Sequence, residues 1–316
     1  MINLCRWFFL GLYNVLTIIP RYFFIGILCL INPEKGNALR YKGKPIIPMA
    51  MLGLTLSVYF ICIFFTSRWY VQQLKIKYLA ADIIESTKII ERQEETIKKK
   101  KDTTEEPTEE TPSAPVVDNN TYANVSYMST DLNELKARNQ DTVAWIKVNN
   151  TNINYVVVEA HDNEWYLKHD FYGNNNANGW IFADYRDDFS NFNNNTIIYG
   201  HNLTNKSMFG SLTWALRESW YTNQDNHFIK ISTFNSDTVW KIFSIYQIKP
   251  EVYYLKTYFE SDEEHQEFLN TLIGRSIYNF NESLTTSDRI LTLSTCSDDG
   301  TKRMVVHAKL VKLEEK

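Results

Sequence analysis

The residues best able to do chemistry lie toward the end of the chain. Cys296 closes the run ILTLSTC, and Arg303 opens the next apolar run, RMVVHAKL, seven positions on. A thiol is nucleophilic as its thiolate, so it needs a base or cation beside it, and acyl transfer needs a donor for the developing oxyanion. Arg stays charged at physiological pH and offers several N–H donors, which suits the second task. Alternation along ILTLSTC puts Ile290, Thr292, Ser294 and Cys296 on one face and Leu291, Leu293 and Thr295 on the other. The leucines belong in the core, leaving the thiol on the more polar face where the strand meets the loop SDDGTK. A tight connection brings the Arg303 guanidinium beside it. Asp298 and Asp299 in that loop act the other way, raising the thiol pKa. The plainer reading is a buried structural cysteine and a surface arginine at a strand edge.

Six histidines compete for the general acid/base role: His161, His169, His201, His227, His265 and His307. His265 sits in the charged stretch DEEHQE, and His161 and His169 sit in polar turns, so these three are expected to be exposed. His201 follows IIYG and opens a polar loop, where an imidazole can project from a rigid strand. His307 lies four residues after Arg303 and shares its strand face. Spacing alone leaves His201 and His307 both open.

Eight strand-like runs must position these groups: VAWIKV (143–148), INYVVV (153–158), WIFADY (180–185), NTIIYGHN (195–202), HFIKISTF, DTVWKIFSIYQI, RILTLSTC (289–296) and RMVVHAKLVKL (303–313). Asn, Asp, Gly and Ser clusters bound most of them, and Asn235-Ser236 separates two as a hairpin turn. This pattern predicts a mainly β, closed or nearly closed barrel. Two insertions read as peripheral helices, SMFGSLTWALRESW and SDEEHQEFLNTLIGRSIYNF. A short helix carrying Leu132 and Leu135, capped by Ser129 or Thr130, opens the domain.

The first part of the chain is different. Ile46 to Thr66 runs 21 residues without a charge, long enough to cross a hydrocarbon core of about 30 Å. A second apolar stretch, 7–31, is broken by Asn14, Pro20 and Arg21 and reads as a second span or an interfacial helix. Lys35, Arg40, Lys42 and Lys44 between them favour a cytoplasmic loop, with everything after Thr66 outside, although Arg68, Lys75 and Lys77 narrow that bias. The expected organisation is a membrane anchor at 1–66, a helical stalk and Thr/Glu/Pro-rich linker at 67–126, and a folded domain at 127–316. Beyond Cys62 the chain carries only Cys296, which excludes an internal disulfide or a Cys-rich zinc site in that domain. With 33 Lys+Arg against 37 Asp+Glu, the formal charge of −4 argues against a nucleic-acid binder. An apolar content of 44% excludes a wholly disordered chain.

TLSTC (292–296) followed by Arg303, and preceded by YGHN (199–202), MFGSL (208–212) and GWIFADYR (179–186), resembles the class B sortases. The helical insertion at about 261–279 resembles class B rather than the simpler class A domains. The resemblance implies a sortase-type eight-stranded barrel and a cysteine transpeptidase at the surface of a Gram-positive cell. Residue by residue, it implies Cys296 as nucleophile, His201 as general acid/base and Arg303 as the oxyanion and substrate-positioning residue, with Ser294 and Thr295 lining the pocket floor. It implies secreted proteins bearing a C-terminal sorting motif as one partner and a peptidoglycan cross-bridge amine, or its lipid-linked precursor, as the other. No metal or organic cofactor is implied. The Cys-to-Arg loop is shorter than in many class B members, and the broken segment at 7–31 exceeds the usual single anchor. Other classes to weigh are an L,D-transpeptidase, whose Ser-His-Gly-Cys cluster is absent, and a papain-like hydrolase, in which Cys precedes His. A non-catalytic anchored module and a sortase that polymerises protein subunits complete the set.

Overall fold

The computed structural model describes residues 31–32, 40–41, 44–45, 47–92, 122–296 and 302–316. The chain forms two compact units that divide between Gln72 and Gln73. A long helix, α1 (Ile47–Ser86), begins in the first. Its large apolar side chains between Leu56 and Val71, among them Phe60, Ile61, Phe64 and Phe65, are exposed. Among the described residues no helix is long and apolar enough to cross a membrane. The transmembrane helices expected at this end are therefore not supported by the fold, and the apolar stretch at 7–31 falls outside the described residues up to position 30.

In the second unit α1 ends at Ser86, where the hydroxyls of Ser86 and Thr87 both donate to the Ile83 carbonyl. The β-branched pair Ile89-Ile90 then leaves the helix for a short strand, β1 (Ile89–Arg92), antiparallel to β2 (Tyr127–Thr130). The helical stalk expected from residue 67 thus stops at Ser86 and gives way to a strand. The ladder overrides it because its partner lies beyond a long stretch of sequence. The Thr/Glu/Pro-rich segment lies outside the described residues. Ser129 and Thr130 belong to β2 rather than capping a helix. The following helix, α2 (Asn133–Arg138), instead has its first backbone N–H, that of Asn133, donated to Asp131 Oδ1. Leu132 and Leu135 are buried as expected.

The body is a closed eight-stranded barrel built from β3 (Thr142–Val148), β4 (Asn154–Val158), β5 (Phe182–Ala183), β6 (Asn195–His201), β7 (Phe228–Thr233), β8 (Ser236–Ile248), β9 (Ile290–Cys296) and β10 (Arg303–Glu315). Around the barrel the order is β8-β10-β9-β6-β5-β4-β3-β7. Each strand coincides with one of the eight runs read from the sequence. β9 pairs in parallel with β6, and β4 with β5, while the other pairings are antiparallel. A parallel partner needs a crossover connection. That leading into β9 carries α3 (Asp262–Gly274), whose cap Ser261 accepts from Glu264 N–H and whose first turn is acidic, as the helix dipole favours.

Two layers of apolar packing sandwich β9. Leu291 and Leu293 join Trp145, Trp180, Trp240 and Val306 in the main core. Ile290 and Val305 pack in a second cluster with Phe243, Tyr254, Phe268, Leu269 and Leu272 of the crossover. The polar face of β9 is thus roofed, with Thr292 and Ser294 almost fully buried. His265 corrects an expectation. It is 2% exposed and stacks on Phe259 at 4.2 Å, because it shares the inner stripe of α3 with Phe268, Leu269 and Leu272.

Candidate active site

Three strands meet where β9 ends. In the parallel β6–β9 ladder the Cα of Cys296 pairs with that of His201. In the antiparallel β9–β10 ladder Thr292 pairs with His307 and Ser294 with Val305. The printed pairs end at Ser294, and Arg303 is the first residue of β10, two positions before the Val305 that pairs with Ser294. Strand pairing thus sets the Cys296 and His201 backbones side by side at one rim of the barrel, and Arg303 opens the neighbouring strand on the other side of β9.

His201 is buried, and its Nε2 lies 2.9 Å from the Leu167 carbonyl oxygen. A carbonyl only accepts, so Nε2 carries a hydrogen in both the neutral and the charged ring, and the exchangeable proton belongs to Nδ1. The loop that supplies Leu167 also supplies Gly179, at φ +57°. A Cβ on Gly179 would lie 2.4 Å from the Tyr166 carbonyl oxygen and 2.8 Å from His201 Cδ2, so only glycine lets this loop press on the ring.

Arg303 is half-buried and donates from Nη1 to the Tyr254 hydroxyl at 3.4 Å. That hydroxyl is also hydrogen-bonded to Ser294 Oγ at 3.0 Å. Tyr254 is itself fixed, since Asn195 Nδ2 donates to its carbonyl and to that of Lys256. Ser294 and Thr295, expected along the pocket floor, are buried, and their hydroxyls are taken inside the protein. Thr295 Oγ1 accepts from the Met304 N–H at 2.8 Å, which ties the end of β9 to the start of β10.

His307 lies deeper on the same face and does different work. Thr292 Oγ1 donates to Asn195 Oδ1 at 2.6 Å, so His307 Nδ1–H donates to Thr292 at 2.8 Å. Its Nε2 then accepts from the Tyr246 hydroxyl at 2.8 Å. Complete burial pushes its pKa down to about 3. A neutral ring with both nitrogens committed has no proton to exchange near pH 7. Of the other histidines, His161 is exposed and His169 stacks on Trp165. The loop bearing Asp298 and Asp299 lies outside the described residues. Sequence reasoning missed Leu167, Gly179 and Tyr254. Gly179 carries a weak signal as a lone glycine in ANGW, whereas Leu167 acts through its backbone and Tyr254 has no periodic mark.

The fold and this rim together define a class. The sortase domain model matches residues 146–311, more than half the chain, and the chain belongs to the sortase family. It is similar to sortase B of Staphylococcus aureus, with 37% identity over 182 residues covering 57% of this chain and 74% of that protein. A solved S. aureus sortase B–substrate complex is 37% identical with a TM-score of 0.54, covering 57% of this chain and 83% of that one. A sortase B structure complexed with triglycine is 36% identical with a TM-score of 0.54, covering 57% and 84%. These likenesses make the protein a sortase B-type cysteine transpeptidase.

Proposed function

We propose that this transpeptidase cleaves a C-terminal sorting motif of secreted proteins and passes the acyl group to a cell-wall amine, using Cys296, His201 and Arg303. The observation that carries the reading is the pairing of Cys296 with His201 across β6–β9, with β10, which Arg303 opens, on the other side of β9. The Cys296 thiolate attacks a backbone carbonyl of the motif, and Arg303 N–H groups stabilise the tetrahedral oxyanion. His201, as imidazolium, gives the Nδ1 proton to the departing amine while the C–N bond breaks, leaving a thioester. An incoming amine then loses a proton to Nδ1 as it attacks, and collapse expels the thiolate.

Solved relatives carrying a substrate or triglycine support a peptide donor and a glycine-type amine acceptor, taken here as the peptidoglycan cross-bridge or its lipid-linked precursor. The exposed apolar run between Leu56 and Val71 favours a membrane anchor, and we take the catalytic unit to lie outside the cell, where secreted donors are met. The test incubates the full chain with a library of sorting-motif peptides and triglycine and identifies products by mass spectrometry. A motif-plus-triglycine ligation product is expected, and none with any peptide would overturn the reading. Release by detergent but not by alkaline carbonate tests the anchor, and carbonate release would contradict it.

A further inference from the structure

Within the barrel unit α1 has a buried stripe of Gln73, Ile76, Ala80 and Ile83, spaced as one helical face. Its first member is polar where the pattern calls for an apolar residue. A buried amide is unfavourable unless hydrogen-bonded, and Gln73 Nε2 donates to Asn178 Oδ1 at 2.6 Å. Asn178 directly precedes Gly179, which approaches the ring so closely that a Cβ there would lie 2.8 Å from His201 Cδ2. The backbone between them is tightly held. Asn178 N–H bonds to the Asn176 side chain at 3.0 Å, Gly179 N–H to the Asn176 carbonyl at 3.0 Å, and Trp180 N–H to the Tyr166 carbonyl at 2.9 Å. One residue beyond Tyr166 is the Leu167 carbonyl that receives His201 Nε2–H. This loop therefore hydrogen-bonds to Nε2 of the imidazole and lies close to the adjoining Cδ2, and Gln73 hydrogen-bonds to the same loop.

We propose that Gln73 is a positioning residue for His201, acting through Asn178 and Gly179, so that α1 is part of the catalytic architecture rather than a tether. The inference rests on His201 being the acid/base partner of Cys296, and it adds to that reading the element that sets the ring's place. The effect passes through a stiff turn, since neither Gly179 nor the Leu167 carbonyl shifts without moving a hydrogen-bonded neighbour.

The experiment follows alkylation of Cys296 by iodoacetamide in the full chain as a function of pH, quantified on the peptide that contains it, because thiolate content reports the nearby imidazole. Gln73→Leu should move the profile toward that of His201→Ala by about 0.5 pH unit or more. Combined with Asn178→Ala, it should add nothing to the shift of Asn178→Ala alone. Ile83→Ala, on the same stripe but remote from the loop, should lower the melting temperature and leave the profile in place. If His201→Ala shifts the profile while Gln73→Leu superposes on the wild type, the positioning role is overturned and the acid/base reading stands. If His201→Ala itself leaves the profile unchanged, the acid/base reading fails first.

Discussion

The Nε2 of His201 stands 2.9 Å from the carbonyl oxygen of Leu167, which assigns that nitrogen its hydrogen and leaves Nδ1 to exchange protons. Nitrogen-15 NMR of the imidazole should therefore show Nε2 protonated across the titration and Nδ1 changing. A neutral ring protonated on Nδ1 would contradict the proposed proton route.

The same loop makes Gly179→Ala informative. With φ at +57° and backbone oxygen 2.4 Å from the new Cβ, the variant should lose roughly 2 kcal/mol of stability and most activity. Full activity in that variant would mean the loop does not hold the ring.

His307 should matter for stability in acid rather than for catalysis. Its folded pKa of about 3 lies below the ordinary value near 6.5, so between these values the unfolded chain binds more protons. Stability from this residue is complete above about pH 6.5 and is lost as pH falls toward 3, at up to about 1.4 kcal/mol per pH unit. His307→Gln should flatten the acid side of a denaturation profile relative to wild type and keep at least about a tenth of the activity. His201→Ala should lose about 100-fold or more. An equal loss in the two variants would return His307 to the site.

Tyr254→Phe removes one hydrogen-bond partner from Arg303 and one from Ser294. The expected result is a fall in kcat of about 5- to 20-fold with KM little changed, equivalent to about 1–2 kcal/mol of transition-state stabilisation. Steady-state kinetics check this, and a change in KM alone would show that the hydroxyl serves binding rather than Arg303.

The barrel was readable from sequence because turn clusters bound most strands and the strands alternate or run apolar. Cys296 and Arg303 were readable as the end and the start of consecutive strands, β9 and β10, which pair in the barrel. His201 and His307 could not be separated that way. Both lie on strands beside β9, and what distinguishes them is the roof of Tyr246, Tyr254 and α3, set by contacts far apart in sequence. Local charge misled for His265, where the stripe of α3 outweighs its acidic neighbours. The ladder of Ile89–Arg92 with Tyr127–Thr130 was hidden for a related reason, since a strand with a distant partner looks locally like more helix.

In the proposed reaction a single sulfur, that of Cys296, accepts the acyl group. Intact-protein mass spectrometry of the full chain, given sorting-motif peptides without an acceptor, measures this directly. The account predicts an adduct of the acyl fragment's mass mapped to Cys296, discharged by triglycine and absent in Cys296→Ala. An adduct or turnover that persists in Cys296→Ala would contradict it.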